Sequence, residues 1–259
     1  MCVSLHSTTL SNYSGYPGRC EPKERDQAEP RQAVRRMTEI LLLCSANQCR
    51  SVLAESLLRR RLGEAGVSAS VRSVGVLHDG GPPAPEVISA LAAYGLDVTA
   101  HRGCTLSESD LARSDLVLAM AREHLRYAVV ALPSAWPRAF TLKELTRRGQ
   151  QIGPRPAGES LAGWLRRAHH GRHRSALLGD CADDDVADPS GGPPQAYTVT
   201  AEQLDQLLAR LVQLAWGRLS ATWPGRLPVS GRPSRRPARW RTRPGRPAAR
   251  RLACRGPGE

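Results

Sequence analysis

Apolar runs and helical periods alternate along the middle of the chain. Ile40-Leu41-Leu42-Leu43 is uninterrupted, as in a strand buried on both faces, and residues 51–65 follow with Leu53, Leu57, Leu58 and Leu62 at helical spacing up to Gly66. Residues 70–76 read as a second strand, 85–94 as a helix with Pro85 at its start and Gly95 at its end, and 107–113 as a short helix before a third strand, 116–119. A weaker strand near 139–142 leads into a helix over 143–148, and helices over 160–167 and 201–216 complete the series. This order predicts an α/β fold: a single domain with a four-stranded parallel sheet, helices on both faces, and sites at the carboxyl ends of the strands.

The pattern stops at both ends. Residues 1–37 are polar, and residues 218–259 are rich in Arg, Pro and Gly, so neither segment can build a core and both are expected to be disordered extensions of a 38–217 domain. Met37 stands immediately before the first strand and is expected to be the true initiator, which N-terminal sequencing of native protein would test. Charge follows the same division. Of the formal net charge of +13, the 218–259 segment carries twelve Arg against the single acid Glu259, whereas Thr38 to Trp216 holds nineteen groups of each sign. Lys23 and Lys143 are the only lysines, a bias that fits a GC-rich bacterial genome better than a binding surface.

The seven Cys are scattered without a Cys-x-x-Cys pair, which supports neither a disulfide framework nor a zinc ribbon and points to a reducing cytoplasm. No apolar run approaches the roughly 18 residues that span a bilayer, and residues 1–20 lack the order of a signal peptide.

The chemistry concentrates where the first strand ends. Cys44-Ser45-Ala46-Asn47-Gln48-Cys49-Arg50-Ser51 runs directly into the first helix. A Cys followed six positions later by Arg is weak by itself in so Arg-rich a chain, and a buried structural Cys beside a surface Arg is the alternative at this point. Position adds to it. A loop between a strand's end and a helix's start turns backbone N–H groups and the positive end of the helix dipole inward, and so binds a dianion. Residues 45–51 are therefore the expected phosphate-binding set: Ser45, Ala46, Asn47, Gln48, Cys49, Arg50 and Ser51. Arg50 offers a planar two-point contact to phosphoryl oxygens, Ser51 a hydroxyl to the Cys44 sulfur, and Asn47 a hydrogen bond to its own backbone that shapes the loop.

With these residues in view, the sequence resembles the low-molecular-weight protein tyrosine phosphatase family, whose signature is a strand, Cys-x5-Arg-Ser and a helix. Ser73-Val74-Gly75, His101-Arg102, Asp115-Leu116-Val117-Leu118-Ala119-Met120 and residues 140–145 follow in family order, with Asp188-Pro189 near the end, over about 70 percent of the chain. The resemblance implies a metal- and cofactor-free phosphatase acting on phosphotyrosine proteins or small aryl phosphate monoesters, with Cys44 as nucleophile forming a phosphocysteine, Arg50 as clamp and Asp188 as general acid. Three departures bear on it. Ala46 stands where the family has Gly, Val52 where it has Pro, and Ser190-Gly191-Gly192 where an aromatic walls the cleft, so weak aryl selectivity is expected.

Other clusters read as structure. The 166–174 stretch, with His169, His170, His173 and its arginines, is expected to be a solvated basic helix end, and Asp183-Asp184-Asp185 an acidic surface turn. His78 and His101 are expected to anchor loops, and Trp164 and Trp216 to lie in the core. Two rival functions are a thiol-dependent arsenate reductase, which needs two further relaying thiols where Cys104 and Cys181 stand isolated, and weak polyanion binding through the 218–259 segment. Cys49 is read two ways, as a small apolar residue packing beneath the loop or as a thiol that traps oxidised Cys44 in a disulfide.

Overall fold

The computed structural model describes residues 37–77 and 81–217; the expectations for the two terminal extensions, and for His78, lie outside the described residues. Four strands, β1 (Thr38–Cys44), β2 (Ala69–Gly75), β3 (Leu116–Ala119) and β4 (Ala139–Thr141), form one sheet in the order β2-β1-β3-β4. Every pairing is parallel, with Ile40 beside Val71 and Leu116, and Leu118 beside Phe140. The expected architecture is the observed one.

Because side chains alternate across a strand, β1 feeds both faces of the sheet. Ile40, Leu42 and Cys44 join α1 (Arg50–Glu64), α5 (Leu142–Ile152) and α7 (Pro194–Trp216) in one apolar cluster. Leu41 and Leu43 join α3 (Glu108–Arg113) and α4 (Arg122–Ala131) in the other. The remaining helices are α2 (Pro85–Ala92) and α6 (Leu161–His169), with 3-10 turns at Pro133–Arg138 and Arg174–Leu177. No helix among the described residues is long and apolar enough to cross a membrane.

Topology sets the site. The chain leaves β1 for β2 on one side and later returns to β3 on the other, so the strand order reverses around the carboxyl end of β1, where Cys44 stands. The helix that follows starts open: α1 has Cys49 at its N-cap with no side-chain cap and no acid in its first turn, in contrast to α3, α5 and α6, which Ser107, Thr141 and Ser160 cap. Its uncapped N-terminus directly follows the loop.

Several elements depart from the sequence expectations. The 122–131 helix has no counterpart in the sequence reading, and α7 begins seven residues earlier than expected, at Pro194. The 166–174 stretch is not wholly solvated: Arg172 is buried, bonded to both Glu144 oxygens at 2.7 and 2.8 Å and stacked over the rings of Trp136 and Phe140. Nor is Asp183-Asp184-Asp185 merely a surface turn. Asp184 is buried and receives Arg122 at 2.6 Å and Arg147 at 2.7 Å, while Asp185 accepts from the backbone N–H groups of Arg122 and Cys181. Trp164 is fully buried as expected, but Trp216 is only partly so.

Candidate active site

The loop's carbonyl groups are spent outward. The oxygens of Cys44, Ser45 and Gln48 accept from the backbone N–H groups of Val76, Leu77 and Ala84, that of Cys49 from Leu53, and that of Asn47 is bonded to His101 Nε2 at 3.1 Å. Among the described residues the N–H groups of Ala46 to Cys49 have no acceptor, so the donors are left for an anion within the loop's curl. His101 anchors the loop as expected.

The turn is made at Asn47, the only non-glycine residue with positive φ among those described, at 56°. Asn tolerates this left-handed conformation better than most residues, and Ala46, despite replacing the family's Gly, is spared it. Asn47 does not bond its own backbone. Its side chain, fully buried, donates from Nδ2 to Ser51 Oγ at 2.9 Å and Ser73 Oγ at 2.8 Å, and accepts from Cys104 N at 3.1 Å. Ser73 in turn donates to the buried carboxylate of Glu55, which is also paired with Arg59.

This network orients the hydroxyl that matters. Ser51 Oγ lies 3.0 Å from Cys44 Sγ. Since the Asn47 amide can only donate to Ser51 Oγ, the Ser51 proton is free to point at the sulfur, where it stabilises negative charge. Gly75 closes the site from below. A Cβ there would stand 2.8 Å from Ser45 O, 3.0 Å from Ala46 C and 3.1 Å from Asn47 N, all backbone of the loop.

Arg50 is buried and its guanidinium makes three contacts: Nη1 donates to Val186 O at 3.3 Å, and Nη2 to Ser45 Oγ at 3.2 Å and to Asp188 Oδ2 at 2.6 Å. Asp188 is thereby brought from 138 residues away to the mouth of the Cys44 loop, with Ser190 N donating to its other oxygen. Cys49 is buried, and its thiol is pushed up to about 12 by burial first and then by the charge of Asp188 and of Cys44.

His124, which no motif marks in the sequence, also reaches the loop. It comes from α4, is fully buried, and places Nε2 3.0 Å from Ser45 Oγ. Burial, reinforced by Arg50, holds its pKa down at about 3, so the ring is neutral. Its only sequence signal is position, five residues beyond the end of β3, where the sheet's carboxyl edge meets the next helix. Cys104 is exposed and Cys181 buried.

The family model for low molecular weight phosphotyrosine protein phosphatases matches residues 39–151. A probable low molecular weight protein-tyrosine-phosphatase of Ralstonia solanacearum, EpsP, is 36% identical over 106 residues, 41% of this chain and 71% of that protein. The chain belongs to this family. Another phosphatase of similar sequence, the protein-arginine-phosphatase of Bacillus subtilis, is 27% identical over 68% of this chain and 95% of its own length. Among solved structures, the low molecular weight protein tyrosine phosphatase from T. tengcongensis superposes with a TM-score of 0.52 at 30% identity, covering 68% of this chain and 98% of that one. Membership makes the chain a hydrolase, and the low molecular weight phosphatase fold accounts for a single α/β unit with its loop at the switch point.

Proposed function

We propose that residues 38–217 hydrolyse phosphate monoesters, phosphotyrosine in particular, through a phosphocysteine at Cys44. The observation that carries this reading is the loop between Cys44 and Arg50, whose N–H groups from Ala46 to Cys49 have no acceptor among the described residues. They supply the positive electrostatics that three phosphoryl oxygens need. The sulfur attacks phosphorus in line, the ester oxygen leaves with a proton from Asp188, and Asp188 then takes a proton from the water that attacks the phosphocysteine and releases phosphate. Ser51 stabilises the thiolate when it leaves.

Phosphotyrosine is not the sole substrate the site favours. The segment Ser190-Gly191-Gly192 is exposed and contains no aromatic wall for a flat leaving group, and a protein-arginine-phosphatase is similar to 68% of this chain. The same steps cleave a phosphorus–nitrogen bond, with Asp188 protonating the guanidino nitrogen. Hydrolysis of p-nitrophenyl phosphate by wild type, Cys44→Ser and Asp188→Ala tests the mechanism, with arsenate plus thioredoxin assayed beside it. Phosphotyrosine and phosphoarginine peptides compared by kcat/KM decide between the substrates. Full activity in Cys44→Ser, or reduction of arsenate without ester hydrolysis, overturns the proposal.

A further inference from the structure

The chain Arg50–Ser45–His124 contains a proton whose position can be derived. His124 Nε2 lies 3.0 Å from Ser45 Oγ and 3.1 Å from Glu123 Oε1, while its Nδ1 is buried with no partner. The hydrogen bond of this nitrogen runs to Ser45 Oγ, and a bare Nε2 lone pair would face the Glu123 carboxylate oxygen beside it with like sign, which favours the ring proton on Nε2. The orphaned Nδ1 agrees, because a buried lone pair without a donor costs less than a buried N–H without an acceptor. The low pKa of the ring, about 3, leaves it a single proton to place.

Ser45 Oγ is then surrounded by donors. Arg50 Nη2 gives it one N–H at 3.2 Å and His124 Nε2 gives it another, which uses both acceptor positions of the hydroxyl and leaves its own proton no protein acceptor along that chain. Arg50, the clamp of the proposed mechanism, thus holds Ser45 through the same Nη2 that meets Asp188. We infer that His124 is a positioning residue of the phosphate site: by donating to Ser45 it turns the Ser45 hydroxyl into a donor to the bound phosphoryl group, alongside Arg50 and the loop amides. This assignment rests on the phosphatase reading for the identity of the anion, but the proton on Nε2 does not depend on turnover.

The opposite tautomer would reverse the arrangement. With the proton on Nδ1, Ser45 would spend its hydroxyl on His124 and have nothing to offer an anion. Two measurements on the full chain separate the cases. Long-range proton–nitrogen NMR of wild type, assigned against His124→Gln, is expected to show Nε2 protonated and Nδ1 bare at neutral pH; a proton on Nδ1, or a doubly protonated ring, overturns the inference.

Binding of inorganic phosphate, followed by calorimetry, is expected to weaken about ten- to a hundredfold in Ser45→Ala and in His124→Leu, the loss of one hydrogen bond to a charged ligand. The double variant should be no weaker than Ser45→Ala alone, because both changes remove the same contact. His124→Gln, which can still donate, should bind phosphate within about twofold of wild type, and KM should rise in His124→Leu far more than kcat falls. Additive losses, or unchanged phosphate binding in folded His124→Leu, overturn it. Should His124→Leu fail to fold, the wild-type tautomer decides alone. Phosphate binding without ester hydrolysis by wild type would defeat the proposed activity and leave this assignment intact.

Discussion

Arg50 Nη2 and Asp188 Oδ2 are 2.6 Å apart, so the groups proposed as phosphate clamp and general acid hold one another directly. A phosphoryl oxygen that takes this N–H must displace the carboxylate, and Asp188, 43% exposed at its side chain, is free to swing toward the leaving group. The contact therefore opposes anion binding while keeping the acid in place. Asp188→Asn should tighten inorganic phosphate about two- to fivefold, the scale of a partly exposed ion pair. The same variant should slow turnover, with a greater loss for poor leaving groups than for p-nitrophenyl phosphate. Weaker phosphate binding, or equal losses across a leaving-group series, would show that Asp188 acts structurally.

Cys44→Ser should abolish turnover and still bind phosphate or vanadate, because the loop amides and Arg50 do not depend on the sulfur. Arg50→Lys should lose at least about a hundredfold in kcat/KM, since an ammonium cannot reach Val186 O, Ser45 Oγ and a phosphoryl oxygen in one plane. Near-native kinetics with Lys would dismiss Arg50 as the clamp.

What the sequence made legible follows from range. Strands β1 and β3 announce themselves as apolar runs, and the Cys44 to Ser51 loop is local, so both were readable residue by residue. Helix α4 was not, because its buried positions, His124, Leu125, Ala128 and Val129, include a histidine that resembles a surface residue beside Glu123. The first turns of α7 were hidden in the same way, since only Tyr197 and Thr200 of that stretch are buried. Buried polar partners are the hardest to see: Glu144 meets Arg172 across 28 residues, Arg122 meets Asp184 across 62, and Ser45 meets His124 across 79. Burial makes each of these pairs matter, and burial is a property of the fold.

Gly75→Ala should damage the site without touching any polar group in it. The added methyl would press on three backbone atoms of the loop, none able to move without shifting a donor N–H. Gly75 is also fixed on both sides, its N–H to Cys104 O and its carbonyl to Leu106 N, each at 2.7 Å. We expect a loss of about 1–3 kcal/mol in stability, typical of overpacking. Phosphate affinity should fall more than tenfold, as read by calorimetry. A variant that binds phosphate normally would mean the loop accommodates the methyl.

His124 also gives the fold an acid-sensitive term. Its pKa is about 3 in the native protein, through burial and then the charge of Arg50, against about 6.5 unfolded. Between these values the unfolded chain binds a proton the native one does not, so this contribution is fully present above pH 6.5 and is lost as pH falls toward 3. The slope is at most about 1.4 kcal/mol per pH unit. Urea unfolding of wild type and His124→Gln at pH 7, 5.5 and 4.5 isolates it, and the wild type should lose more stability than the variant. Parallel losses would show that the ring is not buried neutral.

Oxidation of the loop should depend on pH through Cys49. Peroxide attacks an accessible thiolate, and the sulfenic acid formed at Cys44 condenses with a neighbouring thiol to a disulfide and water. Cys49 is the neighbour whose electrostatics are coupled to Cys44, but its thiol is buried and its pKa stands at about 12. Condensation needs the Cys49 thiolate. Its rate should therefore rise about tenfold per pH unit from 7 to 9, approaching its limit only near the Cys49 pKa. Conversion of Cys44 to the neutral sulfenic acid removes one of the charges that raise Cys49, yet burial, the largest cause, remains. At neutral pH the trap should thus be slow, with part of Cys44 proceeding to sulfinic acid, and dithiothreitol should restore only the remainder. Phosphate should protect throughout, and Cys49→Ser should make all inactivation irreversible. Peptide mapping at pH 7 and 9 reads both products: a disulfide yield independent of pH would remove the Cys49 thiolate from the mechanism, and Cys44 joined to Cys104 or Cys181 would replace it with a relay of the reductase kind.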